Sequence, residues 1–223
     1  MGQQTMNSLG IGMTSARTRQ RMVDRLRDRG IVDERVLEAM AQVPRHLFVD
    51  EALAQRAYED NALPIKFGQT ISQPYVVARM TEEVIKSQHA KKVLELGTGS
   101  GYQAAVLGQL IDEVFSIERI DKLTRSARRL FIKLGYLNIR CKTGDGFQGW
   151  PSEALFDVII CTAAPEKIPF SLLDQLHVGG KMILPVGDNK KQKLVAIVKE
   201  PHGYQEEVLG DVIFVPLLQG VVR

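Results

Sequence analysis

The sequence predicts an α/β fold: a mostly parallel sheet with helices packed on it, an antiparallel C-terminal strand and added N-terminal helices. Three observations carry this expectation. From Lys92 onward short apolar runs alternate with amphipathic stretches, as strand–helix crossovers require. Three alternate glycines, Gly97, Gly99 and Gly101, directly follow the first of those runs, where α/β sheets turn into a helix and bind ligands. The 223 residues, 44% hydrophobic and 25% charged, suit one large core and argue against a disordered or disulfide-scaffold chain.

Residues 1–13 read as a flexible leader and 14–223 as a single domain, with helices and a loop in 14–90 and a ligand-binding core in 91–223. The first helix interleaves Arg17, Arg19, Arg21, Arg25, Arg27 and Arg29 with Met22, Val23 and Leu26 and stops at Gly30. Asp24 and Asp28 dilute its charge and no aromatic is present for base stacking, so it reads as a solvated face. The net charge of +3 gives no other nucleic-acid footprint. A second helix runs from its N-cap Asp33 to Val43, stopped by Pro44. A loop over 58–74 precedes a helix over 75–88.

The core then reads as strand 92–96, helix 101–111, strand 113–118, helix 121–134, strand 138–143 and strand 156–161. Residues 169–176 are expected to be helical, with Gly179-Gly180 turning the chain into strand 181–186. Two last β-rich runs, 193–199 and 212–217, are too close for a helical crossover and predict an antiparallel hairpin.

No run approaches the roughly 18 apolar residues of a membrane helix, and the N-terminus lacks the apolar core of a signal peptide, so a cytoplasmic protein is expected. Cys141 and Cys161 fall in apolar runs and read as buried, reduced thiols. His46, His89, His177 and His202 have no ligand spacing, so no metal is expected.

At the glycine loop, Glu118 ends the next strand about 20 residues on, where a carboxylate accepts hydrogen bonds from ribose hydroxyls. The frame suits either a nicotinamide dinucleotide or S-adenosylmethionine. The third glycine comes too early for the dinucleotide fingerprint, and Glu95 would bring negative charge toward a phosphate while suiting an ammonium and a sulfonium. S-adenosylmethionine is therefore preferred. Asp145, between Gly144 and Gly146, reads either as a turn aspartate or as a partner for the adenine amino group.

After the strand 156–161 comes Thr162-Ala163-Ala164-Pro165, without the Asp/Asn/Ser-Pro-Pro-aromatic cluster typical of amine methylation. The carboxylate and amide set of a metal-dependent catechol site is also missing. An already nucleophilic acceptor, such as a carboxylate, requires neither.

Tyr58-Glu59-Asp60, Leu63-Pro64-Ile65 and Gly68-Gln69-Thr70-Ile71-Ser72-Gln73-Pro74 resemble the signature of the protein-L-isoaspartate (D-aspartate) O-methyltransferases. So do Pro44-Arg45-His46-Leu47-Phe48-Val49, Gly144-Asp145-Gly146 with Gly149-Trp150-Pro151, and Phe214-Val215-Pro216-Leu217. The resemblance covers residues 14–219 and implies a Rossmann-like class I S-adenosylmethionine-dependent methyltransferase with a seven-stranded sheet. It implies methylation of the free carboxylate of isoaspartyl and D-aspartyl residues in damaged proteins, which starts repair through a succinimide, and S-adenosyl-L-homocysteine as the other product. It points to Ser72 as the active-site residue, and to Ile71 and Val215 beside the substrate, the latter through backbone bonds to an extended peptide. Thr70, Gln73, Glu95, Gly97, Gly99, Gly101, Glu118, Arg119, Asp145 and Gly146 would enclose the cofactor. A monomer binding neither nucleic acid nor membrane is expected. Lys66 and Asp50 depart from the family, which often has glycine and proline there. Two other readings are a methyltransferase acting on a different carboxylate and a non-catalytic cofactor- or nucleic-acid-binding module built on the arginine-rich helix.

Overall fold

The computed structural model describes residues 12–87 and 90–223. Of the expected leader, residues 1–11 lie outside the described residues, as do Gln88 and His89, while Gly12–Thr14 forms a 3-10 turn. Helix α1 spans Ala16–Asp28 behind the N-cap Ser15, burying Met22, Val23 and Leu26. Arg17, Arg21, Arg25, Arg27 and Arg29 are exposed, as expected of a solvated face, and Arg19 alone departs from it. Arg19 is only 6% exposed and donates to the Gln42 carbonyl at 3.0 Å. Arg25 donates to the Tyr58 carbonyl at 2.6 Å, and Arg27 and Arg29 pair with Glu34 and Asp60. The basic face ties α1 to the next helix and the loop beyond it, because guanidinium forks reach backbone carbonyls while their stems cover apolar surface.

Helix α2, Glu34–Gln42, starts where the Asp33 carboxylate accepts the Arg35 amide at 2.9 Å. In the following loop Leu63–Pro64 (β1) and Thr70–Ile71 (β2) pair antiparallel. Helix α3, Pro74–Ile85, begins with proline at its first turn and ends earlier than expected. Its buried Glu82 accepts the Val32 and Asp33 amides at 2.7 and 2.9 Å, locking α3 to the start of α2.

The core alternates as expected: β3 Lys92–Leu96, α4 Tyr102–Leu107, β4 Glu113–Glu118, α5 Asp121–Leu134, β5 Ile139–Thr143 and β6 Phe156–Cys161. It closes with β7 Leu176–Gly187, β8 Gln192–Glu200 and β9 Gly203–Val212. The seven-stranded sheet has the order β5-β4-β3-β6-β7-β8-β9, parallel through β7, with β8 antiparallel to both neighbours. The antiparallel strand is thus the penultimate one. Strand alternation sends Leu94, Leu96, Phe115, Ile117 and Ile159 to one apolar face and Val93, Val114, Val158 and Ile160 to the other. The second face continues without a break into α1–α5, so the N-terminal helices share the sheet's core. Cys141 and Cys161 are buried and free.

Three expectations are corrected. Helix α4 stops at Leu107 because the Asn138 side chain takes the Gly108 and Ile111 carbonyls at 2.9 and 2.8 Å, turning the chain there. Residues 170–175 are helical as expected, in the 3-10 form. Gly179-Gly180 lies inside β7, at a register irregularity against β6. The last strand is Gly203–Val212, and 213–217 lie outside the sheet. Being an edge strand, β9 is held by its one ladder to β8 and exposes most of its side chains, so it carries no apolar run. The apolar residues after it cross the carboxyl edge of the sheet, where the Ala164 amide donates to the Val215 carbonyl and the Leu217 amide to the Ala164 carbonyl, both at 2.8 Å.

Candidate active site

Strand order reverses between β3 and β6, and at that switch point a parallel sheet leaves a crevice beyond its carboxyl ends. The cleft found there is lined by the glycine loop after β3, the end of β4, Thr162 after β6, the Thr70–Ser72 segment and the strap Val215–Leu218. Two glycines are required by shape. A Cβ on Gly97 (φ +98°) would stand 2.7 Å from Thr162 Oγ1, and one on Gly101 (φ +89°) 2.7 Å from the Phe131 ring. The Thr162 hydroxyl donates to the Gly97 carbonyl at 2.6 Å, closing the loop.

Of the residues expected to hold a cofactor, Thr70, Gly97, Gly99, Glu118, Arg119 and Gly146 line this cleft, together with Ile71, Ser72 and Val215 from the expected acceptor side. The Glu118 carboxylate accepts the Gly99 and Ile120 amides at 2.8 and 2.9 Å. A carboxylate has about four acceptor directions, so capacity remains for two hydroxyls. Burial raises its pKa above the ordinary range, against the opposing pull of those amides. Arg119 keeps a buried Nε without a partner beside it. A pair of spare carboxylate acceptors and an orphan donor on one wall fits a ribose-bearing ligand such as S-adenosylmethionine.

Four expected residues stand elsewhere. Glu95 is 0% exposed and lies beneath the loop, where Ser116 donates to it and Thr98 meets Ser116 at 2.5 Å. Desolvation, reinforced by Glu118, pushes its pKa up to about 8, so at pH 7 it is mostly neutral and offers no anion to an ammonium. Gly101 forms the left-handed start of α4 against Phe131. Asp145 does not line the cleft; it accepts the Phe147 amide at 2.9 Å and the Gly220 amide at 2.7 Å and so anchors the C-terminal strap. Gln73 turns away, donating to Asp60 at 2.9 Å. Val215 is not in a strand, and its carbonyl is already taken by Ala164.

An acid whose folded pKa lies above its unfolded value favours folding when protonated, and that stability is lost as pH rises from the unfolded pKa to the folded one. Glu95→Gln, a neutral isostere, is therefore expected to melt close to the native chain at pH 5 and several degrees above it at pH 8. Thermal melts across that range check this, and a constant gap would remove the titration from Glu95.

Ser72 is half-buried, and its hydroxyl makes no hydrogen bond among the described residues. It does not cap α3, whose N-cap is Gln73 without a side-chain bond. Its backbone is fixed instead: the Ser72 carbonyl accepts Arg45 at 2.7 Å, and Asp60 accepts the Gln73 side chain and, at 3.0 Å, the Tyr75 amide. Ser72 and Thr70 form a common wall between this cleft and a second, outer one running between Arg79 on α3 and Leu194, Leu209 and Phe214. The departure Lys66 lines neither; with Asp50 and Glu51 it borders a third cleft outside the glycine loop. His46 is buried, with Nδ1 2.8 Å from the Tyr58 hydroxyl. Among the described residues no three of His, Cys, Asp and Glu converge as a metal group, and no helix is long and apolar enough to cross a membrane.

The sequence reading missed Thr162, Tyr102, Gln103 and Leu217 of the cleft wall. Thr162 becomes visible only with the register that pairs Leu96 with Cys161.

A family model described as Protein-L-isoaspartate(D-aspartate) O-methyltransferase matches residues 17–222. The protein-L-isoaspartate O-methyltransferase of Halorhodospira halophila is 53% identical over 216 residues, covering 97% of this chain and 98% of that protein. Protein-L-isoaspartate O-methyltransferase 1 of Marinobacter nauticus is 55% identical over 214 residues, covering 96% and 97%. Among solved structures, a Plasmodium falciparum protein assigned to the protein-L-isoaspartate O-methyltransferases, in complex with S-adenosyl-L-homocysteine, superposes with a TM-score of 0.79. It is 27% identical and covers 90% of this chain and 98% of that one.

Proposed function

The chain belongs to the protein-L-isoaspartate(D-aspartate) O-methyltransferase family, and we propose from this premise that it methylates the free carboxylate of L-isoaspartyl and D-aspartyl residues in damaged proteins. S-adenosylmethionine, held along Gly97, Gly99, Glu118 and Arg119, would supply an electrophilic methyl group. The acceptor needs no general base, because a carboxylate of pKa below about 4 is already ionised at pH 7. What remains for the protein is alignment and removal of water from the anion. Ser72 donates its hydroxyl to the acceptor carboxylate and aims one oxygen along the line of transfer. The following backbone amide nitrogen then attacks the methyl ester and expels methanol to close a succinimide, whose hydrolysis returns some normal aspartyl linkage.

The observation that carries this assignment is the wall shared by the two clefts: Ser72, with a hydroxyl free to donate, borders both a nucleoside-type cleft and an outer cleft open to a polypeptide. Residues 14–223 act as one domain, with 14–90 carrying the acceptor loop and 91–223 the cofactor frame. A cytoplasmic location is supported by two buried cysteines that form no disulfide.

The test is methyl transfer from labelled S-adenosylmethionine to two peptides differing only in one isoaspartyl or aspartyl linkage. Base-labile label on the isoaspartyl peptide alone is expected. Label on neither, with cofactor binding intact, would move the acceptor to another carboxylate.

A further inference from the structure

We infer that Arg45 is a positioning residue for the acceptor: it fixes the backbone of Ser72 from behind and lends a buried, unneutralised positive charge to the acceptor end of the cleft. The inference rests on the acceptor being the isoaspartyl carboxylate proposed above.

Arg45 opens the short 3-10 turn Arg45–Phe48 and is 0% exposed. Its Nε donates to the Ala57 carbonyl at 2.8 Å and its Nη2 to the Ser72 carbonyl at 2.7 Å. The guanidinium lies 4.6 Å from the ring centre of Tyr102, itself a wall of the cofactor cleft. Its third nitrogen, Nη1, is buried without a well-formed hydrogen bond, the Tyr102 phenol being the polar side chain that interacts with the guanidinium, and no carboxylate forms an ion pair with it among the described residues. The charged or titratable groups that reach it are Asp60, already bonded to Arg29, Gln73 and Tyr75, and the phenols of Tyr58 and Tyr102, which burial keeps protonated. Burial lowers Arg45 only to about 10, so it is charged at neutral pH.

Packing alone does not account for such a group. An apolar side chain would fill the space without the desolvation penalty of a guanidinium. Two separate effects follow from its placement. The fixed charge attracts an anionic acceptor and loses that attraction once the carboxylate becomes a neutral ester, so it acts on acceptor binding. The bond to the Ser72 carbonyl aims the hydroxyl, so it acts on turnover. Arg45 and Asp60 together hold residues 72, 73 and 75 from two sides.

Arg45→Met and Arg45→Lys separate the two effects in initial rates with an isoaspartyl peptide. R45M, without charge or bonds, is expected to raise the acceptor KM and lower kcat, each by about tenfold or more. R45K keeps the charge but spans only one carbonyl. Its acceptor KM at pH 7 is expected within about threefold of native while kcat stays reduced. Its KM should then climb with pH, because a buried ammonium gives up its proton more readily than a guanidinium, while the native KM stays flat. Cofactor Kd is expected to stay within about twofold in both. Indistinguishable kinetics for R45K and R45M would overturn the inference. If R45M does not fold, R45K decides alone: a pH-independent acceptor KM overturns it and a rising one supports it. Native chain that methylates no isoaspartyl peptide overturns the acceptor reading and this inference with it, whereas active native chain with unsplit variants overturns the inference alone.

Discussion

Ser72→Ala is expected to lower kcat by about 10²-fold or more, the scale seen when one preorganised donor to a reacting oxygen is removed. Cofactor Kd should stay within about twofold and the melting temperature almost unchanged. The substitution removes one oxygen and nothing that holds the loop. The clamps on this segment are the Ser72 carbonyl bonded to Arg45 and the Gln73 and Tyr75 groups bonded to Asp60, none of which involves the hydroxyl. Among the described residues the hydroxyl has no hydrogen bond to lose, so its removal leaves no buried group of theirs unpaired. The loss is therefore confined to the step in which an acceptor oxygen is aimed at the methyl, where misalignment of about 1 Å can cost 10²-fold. Calorimetry of cofactor binding and saturated turnover measure the two quantities separately. Equal losses in both would take Ser72 out of the acceptor site and make it a cofactor contact. A covalent role for the serine is opposed by its surroundings, since His46, the buried histidine near this loop, is turned to Tyr58.

How far the sequence reveals such a site depends on whether a residue's role is local or set by register. Boundaries of β3, β4, α5 and β6 coincide with the apolar runs because buried parallel strands and an amphipathic helix write their periods directly into the chain. The glycines and Glu118 belong to the same local grammar, a turn and the end of the next strand. Strand β9 is polar and held by backbone pairing, so its period carries no signal, and the apolar 213–217 run drew the assignment one step too far. Glu95 and Asp145 show the corresponding limit for chemistry. Acids near a ligand edge look alike in sequence, yet strand alternation buries one under α4 and a passing C-terminal amide occupies the other. Arg45 was legible only as part of a motif. Nothing about an arginine after a proline says that it will be buried with one nitrogen lacking a well-formed hydrogen bond.

Glu118→Ala is expected to weaken cofactor binding by about 10²-fold, because hydrogen bonds to a charged acceptor contribute about 1.5–3 kcal/mol and a ribose offers two hydroxyls. Saturated kcat should fall much less, since the ribose lies away from the reacting methyl. The same residue predicts a pH effect of definite sign. The ionised carboxylate accepts both hydroxyls and the Gly99 and Ile120 amides, whereas the protonated acid gives up part of that capacity. Burial raises its pKa in the free protein, so the protonated fraction grows at a higher pH than for an ordinary glutamate. Cofactor Kd is expected to be lowest where the carboxylate is ionised and to rise as the solution is acidified through the raised pKa, with binding itself pulling that pKa down. Glu118→Ala should lack this acid limb. Isothermal titration of native and variant chains from pH 5 to 8 reads both effects at once. An Ala variant with native affinity would remove Glu118 from the ribose and leave it as a clamp on the glycine loop. The expected outcome keeps both roles in one side chain, because the two amides that fix the loop also hold the carboxylate toward the cleft.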